Sequence, residues 1–288
     1  MKALIDGDVL VYRAGFAAQK TEYAWLPHEG ERYTCYSPKK EKILEYIKNR
    51  KFTKKDGALK KVTYVEPVGW ACHSIKLMIF SILEELKTDE YTVFLSSTDK
   101  SNFRFDIAKT KPYKGNRKQP KPVHYSALRD YLINFHNAQI IFHEEADDAL
   151  GYTQTDDTVI CTIDKDLDMI PGKHYNFVTG ESCETKDPGH LELSGNRRKL
   201  TGGGYKWFYA QMLLGDNADN IPGLAGYGPV MVYNLLHPLD NEESCAKLIY
   251  REYQKQGVED RFLEVADLLW IRRVPGEIKS LALQKLIT

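Results

Sequence analysis

Residues Thr158-Val159-Ile160-Cys161-Thr162-Ile163 form a short apolar run that ends on Asp164-Lys165-Asp166, and that arrangement decides the fold. The run reads as a strand that delivers carboxylates at its carboxyl end. The pattern repeats outward along the chain. Lys2-Ala3-Leu4-Ile5 leads to Asp6, Thr92-Val93-Phe94-Leu95-Ser96-Ser97 leads towards Asp99, and Gln139-Ile140-Ile141-Phe142 leads towards Glu145-Ala146-Asp147-Asp148. Between these runs lie stretches with helical spacing, most clearly Gly69–Leu86, where Ile75, Met78, Ile79, Ile82, Leu83 and Leu86 recur on one face. Strands alternating with helices are the signature of an α/β sheet. The carboxyl ends of parallel strands meet at one crevice, where such folds bind ligands.

Asp216 and Asp219 join the set from the C-terminal third. Carboxylates gathered in one crevice repel one another and resist ionisation unless cations neutralise them. Their oxygens are hard ligands suited to Mg²⁺ or Mn²⁺. Nine acids (Asp6, Asp99, Glu145, Asp147, Asp148, Asp164, Asp166, Asp216 and Asp219) therefore predict a metal site with two or more ions. The plain alternative, that acids end strands because loops are solvated, accounts for any one of them but not for the repetition. Asp8 ranks below the nine, and Asp168 reads as a solvated loop residue.

Composition is that of a folded protein, 42% hydrophobic and 28% charged over 288 residues with net charge +0. Five scattered cysteines without zinc spacing predict reduced thiols in a cytoplasm. The start, MKALIDGDVLVYRA, lacks the apolar core of a signal peptide, and no apolar stretch reaches membrane-spanning length. The charges are unevenly placed. Between Lys100 and Lys121 eight Lys and Arg, Arg104 among them, face the single acid Asp106. That is the footprint of a phosphate-backbone binder. A second basic stretch, Lys39–Lys61, fits such a role or a solvated face equally well. Within the first, Lys114 and Arg117 are spaced to meet one phosphate, Tyr113 could stack on a base, and Pro112, Pro120 and Pro122 with Gly115 suggest mobility. Ile221–Pro229 is a glycine-rich turn between two helices, a ready anion site.

Further expectations are local. Val9–Gln19, Lys39–Lys51 and Tyr125–Phe135 read as helices, Asn176–Thr179 as a strand, Asp56-Gly57 as a hairpin turn, and Gly180–Leu200 as loops or a hairpin. Beyond Thr201, Tyr205–Leu214, Met231–Leu236, Asn241–Gln256 and Asp260–Arg273 read as helices. Residues 32–64 have no assigned role.

Taken in order, Ile5-Asp6-Gly7-Asp8, Thr98-Asp99, Arg104, Tyr113-Lys114-Gly115-Asn116-Arg117, Glu145-Ala146-Asp147-Asp148, Asp164-Lys165-Asp166-Leu167 and Gly215-Asp216…Asp219-Asn220-Ile221-Pro222-Gly223…Gly226-Tyr227-Gly228 resemble the 5′-nuclease superfamily. These are flap endonucleases and 5′→3′ exonucleases, and the likeness is greatest to bacteriophage members. It implies a PIN-like α/β core over 1–200 with a mostly parallel sheet and a helical arch near 100–122. It also implies a C-terminal helical region, 201–288, with a helix-two-turn-helix that grips duplex DNA. Through it the nine acids take metal-ligand roles. Lys114 and Arg117 become arch residues at the scissile phosphate, with Arg104 and Tyr113 beside them on DNA. Gly223, Gly226 and Gly228 hold the duplex backbone, where K⁺ can bind main-chain carbonyls. The implied substrates are DNA 5′ ends, nicks and flaps, with RNA–DNA hybrids as an alternative. No protein partner or membrane is implied. An inactive DNA-binding module and a PIN-type ribonuclease are the rival readings. The first is disfavoured by the filled acidic positions, the second by the segment from Gly215 to Gly228.

Overall fold

A computed structural model describes residues 1–28, 35–196 and 198–288. The chain opens with β1 (Lys2–Asp6) and α1 (Gly7–Ala17), then β2 (Gln19–Pro27), β3 (Cys35–Ser37), α2 (Lys40–Asn49), β4 (Gly57–Val65) and α3 (Val68–Leu86). β5 (Tyr91–Ser96), α4 (Phe103–Ile107), α5 (Tyr125–His136), β6 (Gln139–Ile141), α6 (Ala146–Thr153) and β7 (Thr158–Cys161) follow. β8 (Gly172–Asn176), β9 (Glu181–Thr185) and the hairpin of β10 (His190–Ser194) and β11 (Lys199–Gly203) lead to the last helices. Those are α7 (Gly204–Leu214), α8 (Pro229–Leu236), α9 (Glu242–Lys255), α10 (Arg261–Leu269) and α11 (Lys279–Ile287).

The chain divides into two compact units. One comprises Met1–Leu10, Leu77–Pro120 and Tyr131–Thr288, and it contains a six-stranded sheet ordered β6-β5-β1-β7-β8-β9. Every pairing from β6 to β8 is parallel, and β9 adds an antiparallel edge. Ile5 lies between Val93 and Cys161, so β1 is central. Ala3, Leu4 and Ile5 are fully buried, as a strand covered on both faces requires. A single hydrophobic core runs from Leu4 and Ile160 through Phe208 to Phe262 and Leu283. The C-terminal helices thus share their core with the sheet, within one compact unit that crosses the expected division at residue 200. Helix α7 is buried from Gly204 to Leu213, with its polar Lys206 and Gln211 hydrogen-bonded to His237 O and Asp166.

The other unit comprises Val11–Lys76 and Lys121–Asp130. Its three-stranded sheet, ordered β3-β2-β4, is antiparallel throughout, and α2 packs on β2 and β3. This accounts for the part of residues 32–64 that is described; residues 32–34 lie outside the described residues.

The structure corrects several local expectations. Asp56-Gly57 does not close a hairpin. It ends the turn between α2 and β4, where Thr53 donates from its N–H (2.6 Å) and hydroxyl (2.7 Å) to Asp56 Oδ2. The strand expected at Asn176–Thr179 lies earlier, because residues 177–180 form the turn from β8 to β9. The helix expected to reach Arg273 ends at Leu269, and α11 was unforeseen. Within 100–122 only Phe103–Ile107 is helical, capped by Asn102, whose side chain accepts from Arg104 N–H at 3.0 Å. The remainder of the expected helical arch is irregular, as its three prolines dictate. No helix among the described residues is long and apolar enough to cross a membrane.

Candidate active site

The strand order explains the site. β6, β5, β1 and β7 are neighbours running the same way, so their carboxyl ends, and the acids just beyond them, come out at one edge. Asp6 ends β1 and is buried; its carboxylate accepts from Val9 N–H (3.0 Å) and the Thr162 hydroxyl (2.8 Å). Glu145 is the N-cap of α6, with Asp147 in its first turn. Asp164 and Asp166 follow β7, and Asp166 Oδ1 accepts from Gln211 Nε2 at 2.7 Å. Asp216 and Asp219 follow α7. Gly215 allows the tight turn: its φ is +74°, and a Cβ there would stand 2.2 Å from the Gly223 nitrogen.

Electrostatics shows that these acids form one group. Burial, then the charge of Asp8, with Asp164 adding to them, pushes the Asp6 carboxyl up to about 7. Burial and the charges of Asp6, Asp164 and Glu145 hold Asp147 well above the usual carboxylate range. Burial with Asp164 and Asp216 brings Asp166 to about 7, and burial with Asp219 raises Asp216. A cavity of about 40 Å³ lies among Tyr113, Glu145, Asp147, Asp166, Asp216 and Asp219. That is room for ions or a few waters and not for a nucleotide.

Cations of the chain itself enter the same group. Lys114 Nζ donates to Glu145 and lies 3.7 Å from Asp219; Arg117 Nη2 donates to Asp219 Oδ1 at 2.6 Å. Burial pulls the Lys114 ammonium down, but Glu145 and Asp219 outweigh it, so its pKa ends above the ordinary lysine value. The loop carrying these cations is laced to the acidic turn. Lys114 N–H donates to Asp219 O (2.9 Å), Asn116 Nδ2 to Asn217 O (2.5 Å), and Asn220 Nδ2 to Pro112 O (2.9 Å). Lys114 adopts φ +54°, a conformation that costs a non-glycine residue energy.

Four expected roles are corrected. Arg104 is 2% exposed and spends its donors internally, on both Asp148 oxygens (2.5 and 2.8 Å), Leu268 O (3.0 Å) and Trp270 O (2.7 Å). It cannot reach DNA. Asp148 is correspondingly consumed: it also accepts from the N–H groups of Glu145 and Arg272 (both 3.1 Å) and is a structural anion, not a ligand. Tyr113 is buried, and the one proton of its hydroxyl is shared between Glu145 Oε2 (3.0 Å) and Asp219 Oδ2 (2.6 Å), so no base can stack on it. Asp168 is half-buried, and burial pushes it up to about 6, unlike a solvated loop acid.

Asp99 stands apart from the group, exposed, accepting from Ser101 N–H (3.2 Å) and hydroxyl (2.6 Å). Asp8, ranked lower from sequence, is the nearer acid to Asp6 in effect and accepts from Ser96 N–H at 2.9 Å. Gly223 is pressed against Leu213 and Leu214, whereas nothing stands within 4 Å of where a Cβ would sit at Gly226 or Gly228. Thr162 and Gln211, which orient Asp6 and Asp166, carry no motif by which sequence could have found them.

For divalent ions the donor chemistry fits: hard oxygens whose mutual repulsion a cation would relieve. The side chains as they stand do not yet converge, because among the described residues no three His, Cys, Asp or Glu surround one point at ligand distance. The chain's own Lys114 and Arg117 meanwhile neutralise Glu145 and Asp219.

No protein-family model matches the chain. Among solved structures it is similar to the bacteriophage T5 D15 protein co-crystallised with metal ions, with TM-score 0.54 and 16% identity over 99% of this chain and 94% of that one. A T5 5′-exonuclease mutant aligns over 99% and 98% at TM-score 0.46 and 13% identity. A complex of bacteriophage T5 D15 flap endonuclease with DNA and metal ions aligns over 75% and 90% at TM-score 0.41 and 15% identity. The mixed α/β chain, with its central, mostly parallel sheet, therefore has the fold of the bacteriophage T5 D15 protein.

Proposed function

We propose that the protein is a divalent-metal-dependent 5′-nuclease that hydrolyses phosphodiester bonds at the 5′ ends or flaps of DNA, releasing 5′-phosphorylated products during phage replication. The observation that carries this reading is the group of Asp6, Asp147, Asp166 and Asp216. Each is raised by burial and by its neighbours, and Lys114, paired with Glu145, offsets part of that at Asp147. Buried acids that repel one another weaken a fold, and an ion-binding role is the physical reason to keep them. The T5 D15 protein was crystallised with metal ions, which supports the same use here.

Asp6, Asp147, Asp164, Asp166 and Asp216 would hold Mg²⁺ or Mn²⁺, with Glu145 and Asp219 shared between ions and the loop cations. Such ions would supply Lewis acidity and a water of lowered pKa. Thr162 and Gln211 fix the orientation of Asp6 and Asp166. Lys114 stays protonated and, with Arg117, is placed to exchange its carboxylate partners for the phosphate on which charge develops. The open backbone at Gly226 and Gly228, ahead of α8 with Pro229 at its start, suits a duplex phosphate.

The test is cleavage of 5′-labelled and 3′-labelled duplexes, with and without a 5′ flap, in Mg²⁺ and in EDTA. Mononucleotides or short flaps released from the 5′ side only with Mg²⁺ are expected. DNA binding without cleavage in any divalent metal would refute the reading, and cleavage restricted to RNA strands would replace it with an RNase H-like one.

A further inference from the structure

The lysine-rich run 39–61 contributes nothing to the acidic group. It lies wholly in the unit built from Val11–Lys76 and Lys121–Asp130, where it forms α2, the turn after it and the start of β4. That unit has 16 Lys and Arg against 8 Asp and Glu, and the rest of the chain has 24 against 32. A chain of zero net charge is thus assembled from a unit of +8 and a unit of −8. Within 39–61 ten cations face three acids. All ten are exposed, and the Lys20–Glu22 ion pair of this unit lies outside the run. From Lys48 to Lys61 seven cations meet the single acid Asp56.

Packing makes a platform of the run. The Phe52 ring stacks on Trp25 of β2 (centroids 5.6 Å, 9° between planes), and Tyr46 of α2 lies 6.0 Å from Phe52. Lys54 O meets His28 Nε2 at 2.9 Å, and the Thr53–Asp56 bonds close the turn. Gly57 is held so closely that a Cβ would stand 2.4 Å from Leu26 O. Lys51, Lys54 and Lys55 are therefore presented from a fixed turn. Strand register sets aromatic rings beside further lysines. Ala24 lies between Tyr36 and Lys60, and Lys20 lies opposite Tyr64. Residues opposite one another, and those two apart on a strand, share a face. Lys20, Tyr36, Lys60 and Tyr64 are thus on one face, opposite the face on which Phe52 stacks on Trp25, with Tyr36 38% and Tyr64 47% exposed.

We propose that this unit is a sequence-independent binding surface for single-stranded DNA, with the lysines on phosphates and Tyr36 and Tyr64 stacked on bases. Basic grooves with interleaved aromatic rings bind single strands in this way. The proposal rests on the nuclease reading only in taking the strand to be DNA.

The test uses the full-length chain in EDTA, so that binding is measured without cleavage. Fluorescence anisotropy follows a labelled dT 20-mer, a duplex of the same length, an RNA 20-mer and phosphatidylglycerol vesicles across a salt series. Each phosphate neutralised on a single strand contributes about 0.7 to the salt slope. Replacing Lys51, Lys54, Lys55 and Lys60 by Gln should therefore lower the dT slope by about 3, and replacing them by Arg should leave it unchanged. Tyr36→Ala with Tyr64→Ala should weaken dT binding at least about fivefold without changing the slope. An unaltered slope in the Gln variant overturns the proposal, as does tighter wild-type binding to RNA, duplex or vesicles than to dT. Should the Gln variant unfold, the tyrosine variant decides alone. Flap cleavage is scored separately: an intact dT slope in a protein that never cleaves removes the nuclease reading and leaves this surface standing.

Discussion

Arg104→Met separates a structural from a DNA-binding arginine at this position. The guanidinium makes four hydrogen bonds, two to Asp148 and one each to Leu268 O and Trp270 O, all with buried partners. Removing it leaves Asp148, a fully buried carboxylate, with only the two N–H donors of Glu145 and Arg272, and it orphans two carbonyls at the end of α10. Breaking a buried pair from one side costs about 3–5 kcal/mol. The Met stem refills part of the volume, so the cost is mostly electrostatic. Urea unfolding at pH 7, followed by the fluorescence of the four tryptophans, should show that loss. Adding Asp148→Leu should recover part of it, since an apolar pair of similar volume is often neutral in place of a buried ion pair. DNA binding in EDTA should keep its salt slope, because the side chain does not reach the surface. A destabilisation below about 1 kcal/mol, with a salt slope reduced by about one, would refute the reasoning and return Arg104 to the phosphate backbone.

Three further outcomes are expected. Asp147→Asn removes one member of a mutually repelling group, so cleavage should fall at least about 100-fold while the urea midpoint in EDTA holds or rises; lost folding would make Asp147 a structural acid. Lys114→Ala should lower kcat far more than it raises KM, since the ammonium acts on developing charge, and a wild-type kcat would remove it from the chemistry. His174 is buried, with Nε2 on Ile170 O at 2.7 Å and Nδ1 unpartnered, and burial lowers its pKa below the usual 6.5. The folded state then binds fewer protons than the unfolded one below that value, so this group's contribution is present above pH 6.5 and lost as pH falls. The urea midpoint of His174→Phe should drop less than wild type between pH 6.5 and 5; parallel curves would contradict the assignment.

Much of the site was legible in the sequence, and what was not shares one cause. Short apolar runs ending in acids are written locally, and once the runs are parallel neighbours the acids must meet, so the gathering of Asp6, Glu145, Asp147 and Asp164 at one edge is expected without structure. Arg104, Asp148 and Tyr113 carry the same residue types at motif positions, yet the structure turns them inward onto one another and onto α10. Spacing cannot tell a cation that meets phosphate from one that neutralises a buried acid, because that depends on what packs above it.

The sequence by itself determined the α/β class, the parallel strands and the acidic edge, since burial on both faces and the carboxyl-end rule act within a few residues of each strand. Only the tertiary structure decided which carboxylates share a field and which are already neutralised. It alone showed that Thr162 and Gln211 orient Asp6 and Asp166, and that residues 11–76 with 121–130 form a unit of opposite charge. Those are contacts between segments up to 156 residues apart, and their energies depend on burial and distance, which no local pattern encodes.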